Sequence, residues 1–120
     1  MKSIFLKVEQ FQHKMGIKLP EDKVKALEER DNLISEEYQE FQLSKTPEEK
    51  VDALIDLIYV AAGTLTMFGV DGDKAFDAVH EANMKKELGT KPGRSNDTGN
   101  DVCKPKYWRA PDHSDNTGQF

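Results

Sequence analysis

VDALIDLIYVAAGTLTMFGV, residues 51–70, is the most hydrophobic stretch of the chain, and Asp52 and Asp56 are its only charges. At about 100° per residue the two aspartates fall on one side of a helix, one turn apart. A carboxylate among Leu, Ile and Val is costly unless it is paired or binds a metal. Upstream, Ser35-Glu36-Glu37-Tyr38-Gln39-Glu40 lies on a second helical pattern, with Glu37 and Glu40 three apart. Two helices that each turn a pair of acids to a common interior suit Mg²⁺, a hard cation that prefers oxygen ligands. The pattern points to a metal-dependent phosphate enzyme on a helical bundle.

A length of 120 residues is expected to form one domain with a single modest core. The net charge of −5, with no basic stripe along the helices, argues against a nucleic-acid scaffold. Cys103 is the only cysteine, which excludes an internal disulfide and fits a reducing, cytoplasmic setting. The opening MKSIFLKVEQ soon becomes charged and lacks the apolar core of a signal peptide. Segment 53–70 approaches membrane-spanning length, but Asp56 and the polar remainder favour a buried core helix, so no membrane partner is expected.

Four helical segments are expected. Ile4, Val8, Phe11 and Met15 share one face of the first, which Gly16 and Pro20 stop. The second spans about residues 21–43, with a stripe of Val24, Leu27, Ile34, Tyr38 and Phe41. Glu37 lies roughly 60° from the stripe's centre and Glu40 roughly 120°, while Glu36 points nearly away. That order makes Glu37 and Glu40 the inward ligands and leaves Glu36 nearer to solvent. Thr46-Pro47-Glu48-Glu49 starts the third helix with a capping Thr, Pro at the first position and Glu three after the cap. This helix runs to about Phe68 and is apolar nearly all round, so it needs cover on several sides. Ala61, Ala62 and Gly63 permit close approach of another helix; homo-oligomerisation is one way to supply the cover, and a crowded monomeric core the other. The fourth helix follows Gly69, capped by Asp71 or Asp73, and extends to about Glu87, with Phe76 and Val79 inward and Asn83 on the same side. From Gly89 the composition turns to Gly, Pro, Asn, Asp and Ser, as in a loop or disordered tail. The expected division is a helical domain over 1–88 and an irregular tail over 89–120.

Each acid has a plainer explanation. Glu-rich helix faces are usually just solvated, and Glu48 and Glu49 suit a first turn. Asp56 lies beyond that turn, where a structural ion pair with a Lys or Arg is the competing explanation. Coincidence favours the metal: two acid pairs on consecutive helices, joined by a turn short enough to make them antiparallel neighbours.

Together these residues resemble the all-α nucleoside triphosphate pyrophosphohydrolases, which include MazG-like proteins, dimeric dUTPases, dCTP pyrophosphatases and phosphoribosyl-ATP pyrophosphohydrolase. Their signature is EExxE on one helix and ExxD on the next; EEYQE at 36–40 matches the first half, and Asp56 in DLIYV resembles the closing Asp. EQFQHKMG, VDALIDLIYVAAGT, FGVD, VHEANMKK and DVCKPKYWRAPD extend the likeness over residues 4–112, and it is nearest to short phage-type MazG-like proteins. One departure stands out: Ala53 occupies the place of the signature's second-helix Glu. Asp52 can supply that carboxylate; the rival alignment takes Glu49 with Asp52.

The resemblance implies an all-α, four-helix bundle-like protomer that assembles as a homodimer or homotetramer. It implies hydrolysis of a (d)NTP to the monophosphate and pyrophosphate, with Mg²⁺ as cofactor and Mn²⁺ as its substitute. The implied catalytic acids are Glu36, Glu37, Glu40 and Asp56, with Glu37, Glu40, Asp52 and Asp56 as ligands (Glu49 as the rival to Asp52) and Glu36 as the spare acid that either receives the water's proton or supports a ligand. Asn83, Lys86 and Lys104 resemble the phosphate contacts, joined by Tyr107 and Arg109. Gln12 and His13 resemble base-binding positions. Phosphoribosyl-ATP or (p)ppGpp are alternative substrates, and a non-catalytic helical interaction module is the alternative of another class.

Overall fold

The computed structural model describes residues 2–120. Four helices carry most of the chain: α1 (Ile4–Met15), α2 (Lys23–Leu43), α3 (Pro47–Met67) and α4 (Gly72–Asn83). Two short strands follow, β1 (Glu87–Leu88) and β2 (Val102–Cys103). The architecture is all-α and bundle-like.

The starts of the first three helices are written in capping side chains. Ser3 Oγ accepts from the Leu6 N–H at 3.1 Å, Asp22 Oδ1 from Lys25 at 3.0 Å and Thr46 Oγ1 from Glu49 at 3.1 Å. Pro47 takes the first turn of α3, where its missing N–H costs nothing. Gly16 ends α1 with φ +69°, a left-handed conformation that glycine adopts freely.

The chain forms two compact units, residues 1–72 with 117–120, and residues 73–116. In the first, α3 packs against both α1 and α2. Its buried hydrophobic residues, Val8, Ala26, Ala53, Ala62 and Phe68, are mostly small, so the helices approach closely. Phe11 meets Tyr59 edge to face at 5.6 Å. The last residues seal this unit: Phe120 stacks on Phe68 at 4.2 Å, and the Gln119 N–H donates to the Phe68 carbonyl at 2.7 Å. Sequence composition marks 117–120 only as tail, because one aromatic and the backbone and side chain of Gln119 carry the attachment and none of these marks itself in sequence.

Much of the apolar surface expected inside is open in the single chain. On α3, Leu54, Ile55, Ile58 and Tyr59 are 43%, 54%, 49% and 38% exposed. Val24, Leu27 and Tyr38 of the α2 stripe are exposed as well. Periodicity identifies the apolar side of a helix but not how many neighbours reach it, and here α1 and α2 cover only part of α3.

In the second unit, the antiparallel pair β1–β2 puts Glu87 opposite Cys103 and Leu88 opposite Val102. Helix α4 therefore ends at Asn83 rather than near Glu87: the Lys86 N–H bonds back to the Asn83 carbonyl at 3.0 Å, and the chain turns into β1. Phe76 and Val79, expected on the buried side of α4, are 60% and 38% exposed. The stretch after Gly89 is more ordered than its composition suggests. Asp101 accepts from the Arg94 guanidinium at 2.6 and 3.2 Å, and the Trp108 indole N–H donates to the Ala82 carbonyl at 2.8 Å. Among the described residues, no single helix is long and apolar enough to cross a membrane.

Candidate metal centre

Antiparallel packing of α2 on α3 brings Glu37, Glu40 and Asp56 together, each offering an oxygen within 4.8 Å of the others. Glu37 and Glu40 are three apart on α2, which places them on neighbouring positions of one face. Glu37 is half-buried, and its Oε2 is buried with no hydrogen-bond partner. An orphaned buried carboxylate oxygen calls for a cation or a proton. Burial pushes the Glu37 pKa up, and the neighbouring Glu40, Asp56 and Glu36 carboxyls push it further. Asp56 is raised by burial first, then by Asp52 and Glu40. Crowded, partly desolvated oxygen donors with no basic partner fit a divalent metal: the charge that raises these pKa values is what a cation relieves.

Asp52 lies close enough to Asp56 to raise its pKa, yet is exposed and falls outside the three-carboxylate cluster. Glu49 has another task. Its Oε2 accepts from the Lys45 backbone N–H at 2.8 Å, reciprocating the bond from its own N–H to Thr46 Oγ1. A 300 Å³ hollow beside the cluster is nevertheless lined by Glu40, Glu49 and Asp52 together. Glu36 is exposed.

Gln12 is buried, and its Nε2 donates to the Gly63 carbonyl at 2.9 Å, so its amide nitrogen is already engaged. His13 is exposed and lines a 650 Å³ cavity with Gln12, Gln10 and Thr66, among others. Asn83, Lys86, Lys104, Tyr107 and Arg109 all belong to the unit formed by residues 73–116. There the Lys86 and Lys104 ammonium groups lie over the Trp108 ring, 5.4 and 4.8 Å from its centroid. This gathers two cations around one aromatic ring. Tyr107 is 86% exposed with φ +69°, the one positive-φ residue other than glycine among those described. Asn83 and Arg109 are exposed.

Sequence reasoning passed over Arg30. Its Nε donates to Thr64 Oγ1 and its Nη2 to the Val60 carbonyl, both at 3.0 Å. The available signal was its spacing: Arg30 precedes Glu37 by seven residues, two turns along the same face of α2.

The model of a protein family described as phosphoribosyl-ATP pyrophosphohydrolase matches residues 6–83, more than half of the chain and inclusive of all three clustered carboxylates. No curated protein matches it significantly.

Proposed function

The chain belongs to the phosphoribosyl-ATP pyrophosphohydrolase family, and from that premise we propose a Mg²⁺-dependent enzyme that hydrolyses a (d)NTP to the (d)NMP and pyrophosphate. Nucleotide pyrophosphohydrolysis, a hydrolase reaction on a phosphoric anhydride that uses a divalent metal, is the activity of the family. The (d)NTP substrate, the choice of Mg²⁺ and the residue roles are our reading. The observation that carries it is the convergence of Glu37, Glu40 and Asp56 around an unpartnered buried oxygen of Glu37.

Glu37, Glu40 and Asp56 would hold the cation, with Asp52 as an added ligand from the same side of α3. A bound Mg²⁺ would supply charge neutralisation for the triphosphate and polarisation of the water that cleaves the anhydride bond between the α- and β-phosphates. Glu36, exposed beside the cluster, would accept the proton that such a water gives up. Lys86 and Lys104, with Asn83, Tyr107 and Arg109, are the residues we assign to phosphate contacts, because the charge of a triphosphate exceeds what metal alone offsets. The cavity beside Gln12 and His13 is large enough for a nucleobase. Gln12 would act there through its Oε1, since Nε2 is engaged with Gly63.

The open apolar turns of α3 favour a homodimer or homotetramer in a cytoplasmic, MazG-like enzyme, in which a second copy covers Leu54, Ile55 and Ile58. The family's description favours phosphoribosyl-ATP as the second substrate to examine. The test is incubation with each NTP and dNTP, and with phosphoribosyl-ATP, in Mg²⁺, followed by separation of products. Monophosphate with pyrophosphate supports the proposal. Stepwise loss of single phosphates contradicts it, and absence of both turnover and metal binding favours a helical interaction module.

A further inference from the structure

We infer that Arg30 is a positioning residue that locks α2 against α3 and so holds the carboxylates at metal-binding separation. The inference rests on the proposed metal site and adds a residue outside it. Arg30 bridges the two helices through a pair of bonds, to Thr64 Oγ1 and to the Val60 carbonyl, each 3.0 Å. Thr64 Oγ1 in turn donates to the same Val60 carbonyl at 2.9 Å, which closes a small ring of polar contacts on α3. Val60 is one turn beyond Asp56, and Arg30 two turns before Glu37. The lock and the acids therefore share one interhelical seam.

Three features make this more than a stray surface contact. First, room is made for it: a Cβ on Gly63 would lie 2.9 Å from both Arg30 Nη2 and Gln12 Nε2. Second, Arg30 spends its engaged donors on neutral acceptors, and none of the described carboxylates pairs with it. The oxygens of Glu37, Glu40 and Asp56 thus stay free for a cation, where a Lys or Arg reaching into the cluster would occupy them. Third, the surrounding contacts are poor at fixing register. The apolar residues between the helices are small or half-buried and tolerate sliding, whereas a forked donor on two fixed acceptors does not. Without a cation the like-charged acids push α2 and α3 apart, and directional bonds one to two turns along the seam oppose that separation. Burial also lowers the Arg30 pKa, in keeping with a guanidinium held in the seam rather than in water.

Calorimetric titration of the full chain with Mn²⁺, without nucleotide, tests the lock. Loss of an outer residue that orients metal ligands weakens binding by about 10- to 100-fold. Arg30→Met is expected in that range, Thr64→Val to lose less in the same direction, and the double variant to be no worse than Arg30→Met alone. Phe68→Leu, a core substitution just past the end of α3, should lower the melting temperature and leave Mn²⁺ affinity unchanged. Unaltered affinity in Arg30→Met, an equal loss in Phe68→Leu, or additive losses in the double variant overturn the lock. Should Arg30→Met fail to fold, Thr64→Val and Arg30→Lys decide: both must weaken Mn²⁺ binding while remaining helical. If the unmodified protein binds no divalent cation, the metal site itself falls, and that result is distinct from an unmodified protein that binds while Arg30→Met binds equally well.

Discussion

A single carboxylate governs the chemistry proposed at the residue scale. Asp56 and Glu37 have raised pKa values in the folded chain, so the sign of their effect on stability is fixed. Below the ordinary carboxylate range both folded and unfolded forms are protonated, and no penalty exists. As pH rises, the unfolded chain releases its protons first, and the metal-free fold loses stability until the raised values are passed. Asp56→Asn should therefore raise the melting temperature in EDTA at neutral pH and flatten its decline above the ordinary carboxylate range. Thermal scans with and without EDTA check this; a lower melting temperature for Asp56→Asn would mean that Asp56 has a structural partner. The neighbouring ambiguity is also resolvable. Because Glu49 closes the start of α3, Glu49→Ala should cost a few tenths of a kcal/mol to about 1 kcal/mol of stability with little change in Mg²⁺ requirement, while Asp52→Ala should raise that requirement. Urea titration and metal-dependent assays separate the two. Both residues lie on the same side of the helix, so spacing alone leaves them tied; the hydrogen bond to Lys45 is what distinguishes Glu49.

At the scale of elements, the sequence declares its helices and conceals their contacts. Thr46, Pro47 and Glu49 announce the beginning of α3, and Gly16 the end of α1, because caps are local and chemically specific. The early stop of α4 goes with the pairing of β1 to a strand fourteen residues later, which periodicity does not encode. Arg30 was hidden for a similar reason. Its acceptors are a backbone carbonyl and a threonine hydroxyl on another helix, neither of which marks itself in sequence. The hairpin offers a check on the second unit. Burial alone would raise the Asp101 pKa, but the Val102 and Lys91 backbone N–H groups and Arg94 together bring it below the usual range. Its contribution is thus complete above the ordinary carboxylate range and is lost as pH falls through the lowered value. Hydrogen exchange at the Gly89 amide, which bonds the Asp101 carbonyl at 3.1 Å, should quicken in acid beyond the intrinsic trend, and Asp101→Asn should remove that pH dependence. An unchanged profile would show that the acid does not hold the hairpin.

For the whole molecule, the decisive feature is apolar surface that one chain leaves open. Consecutive turns of α3 expose Leu54, Ile55 and Ile58, and contiguous patches of that kind mark contact surfaces. Sedimentation velocity should find a dimer or tetramer, and Ile55→Glu should shift it toward monomer; a monomeric unmodified protein would refute assembly through α3. Truncating the tail is a blunt probe of Lys104 and Arg109, because it also removes Phe120 from Phe68; point substitutions are the cleaner choice. The central claim is that a nucleotide anhydride is cleaved at the Glu37–Glu40–Asp56 centre. Its most direct test is pyrophosphate release in Mg²⁺ from the best of the screened nucleotides, measured for the unmodified protein beside Asp56→Asn. We predict equimolar monophosphate and pyrophosphate, with Asp56→Asn slower by at least about 1000-fold, roughly 4 kcal/mol of barrier; comparable rates for the two proteins, or orthophosphate as the product, would contradict the account.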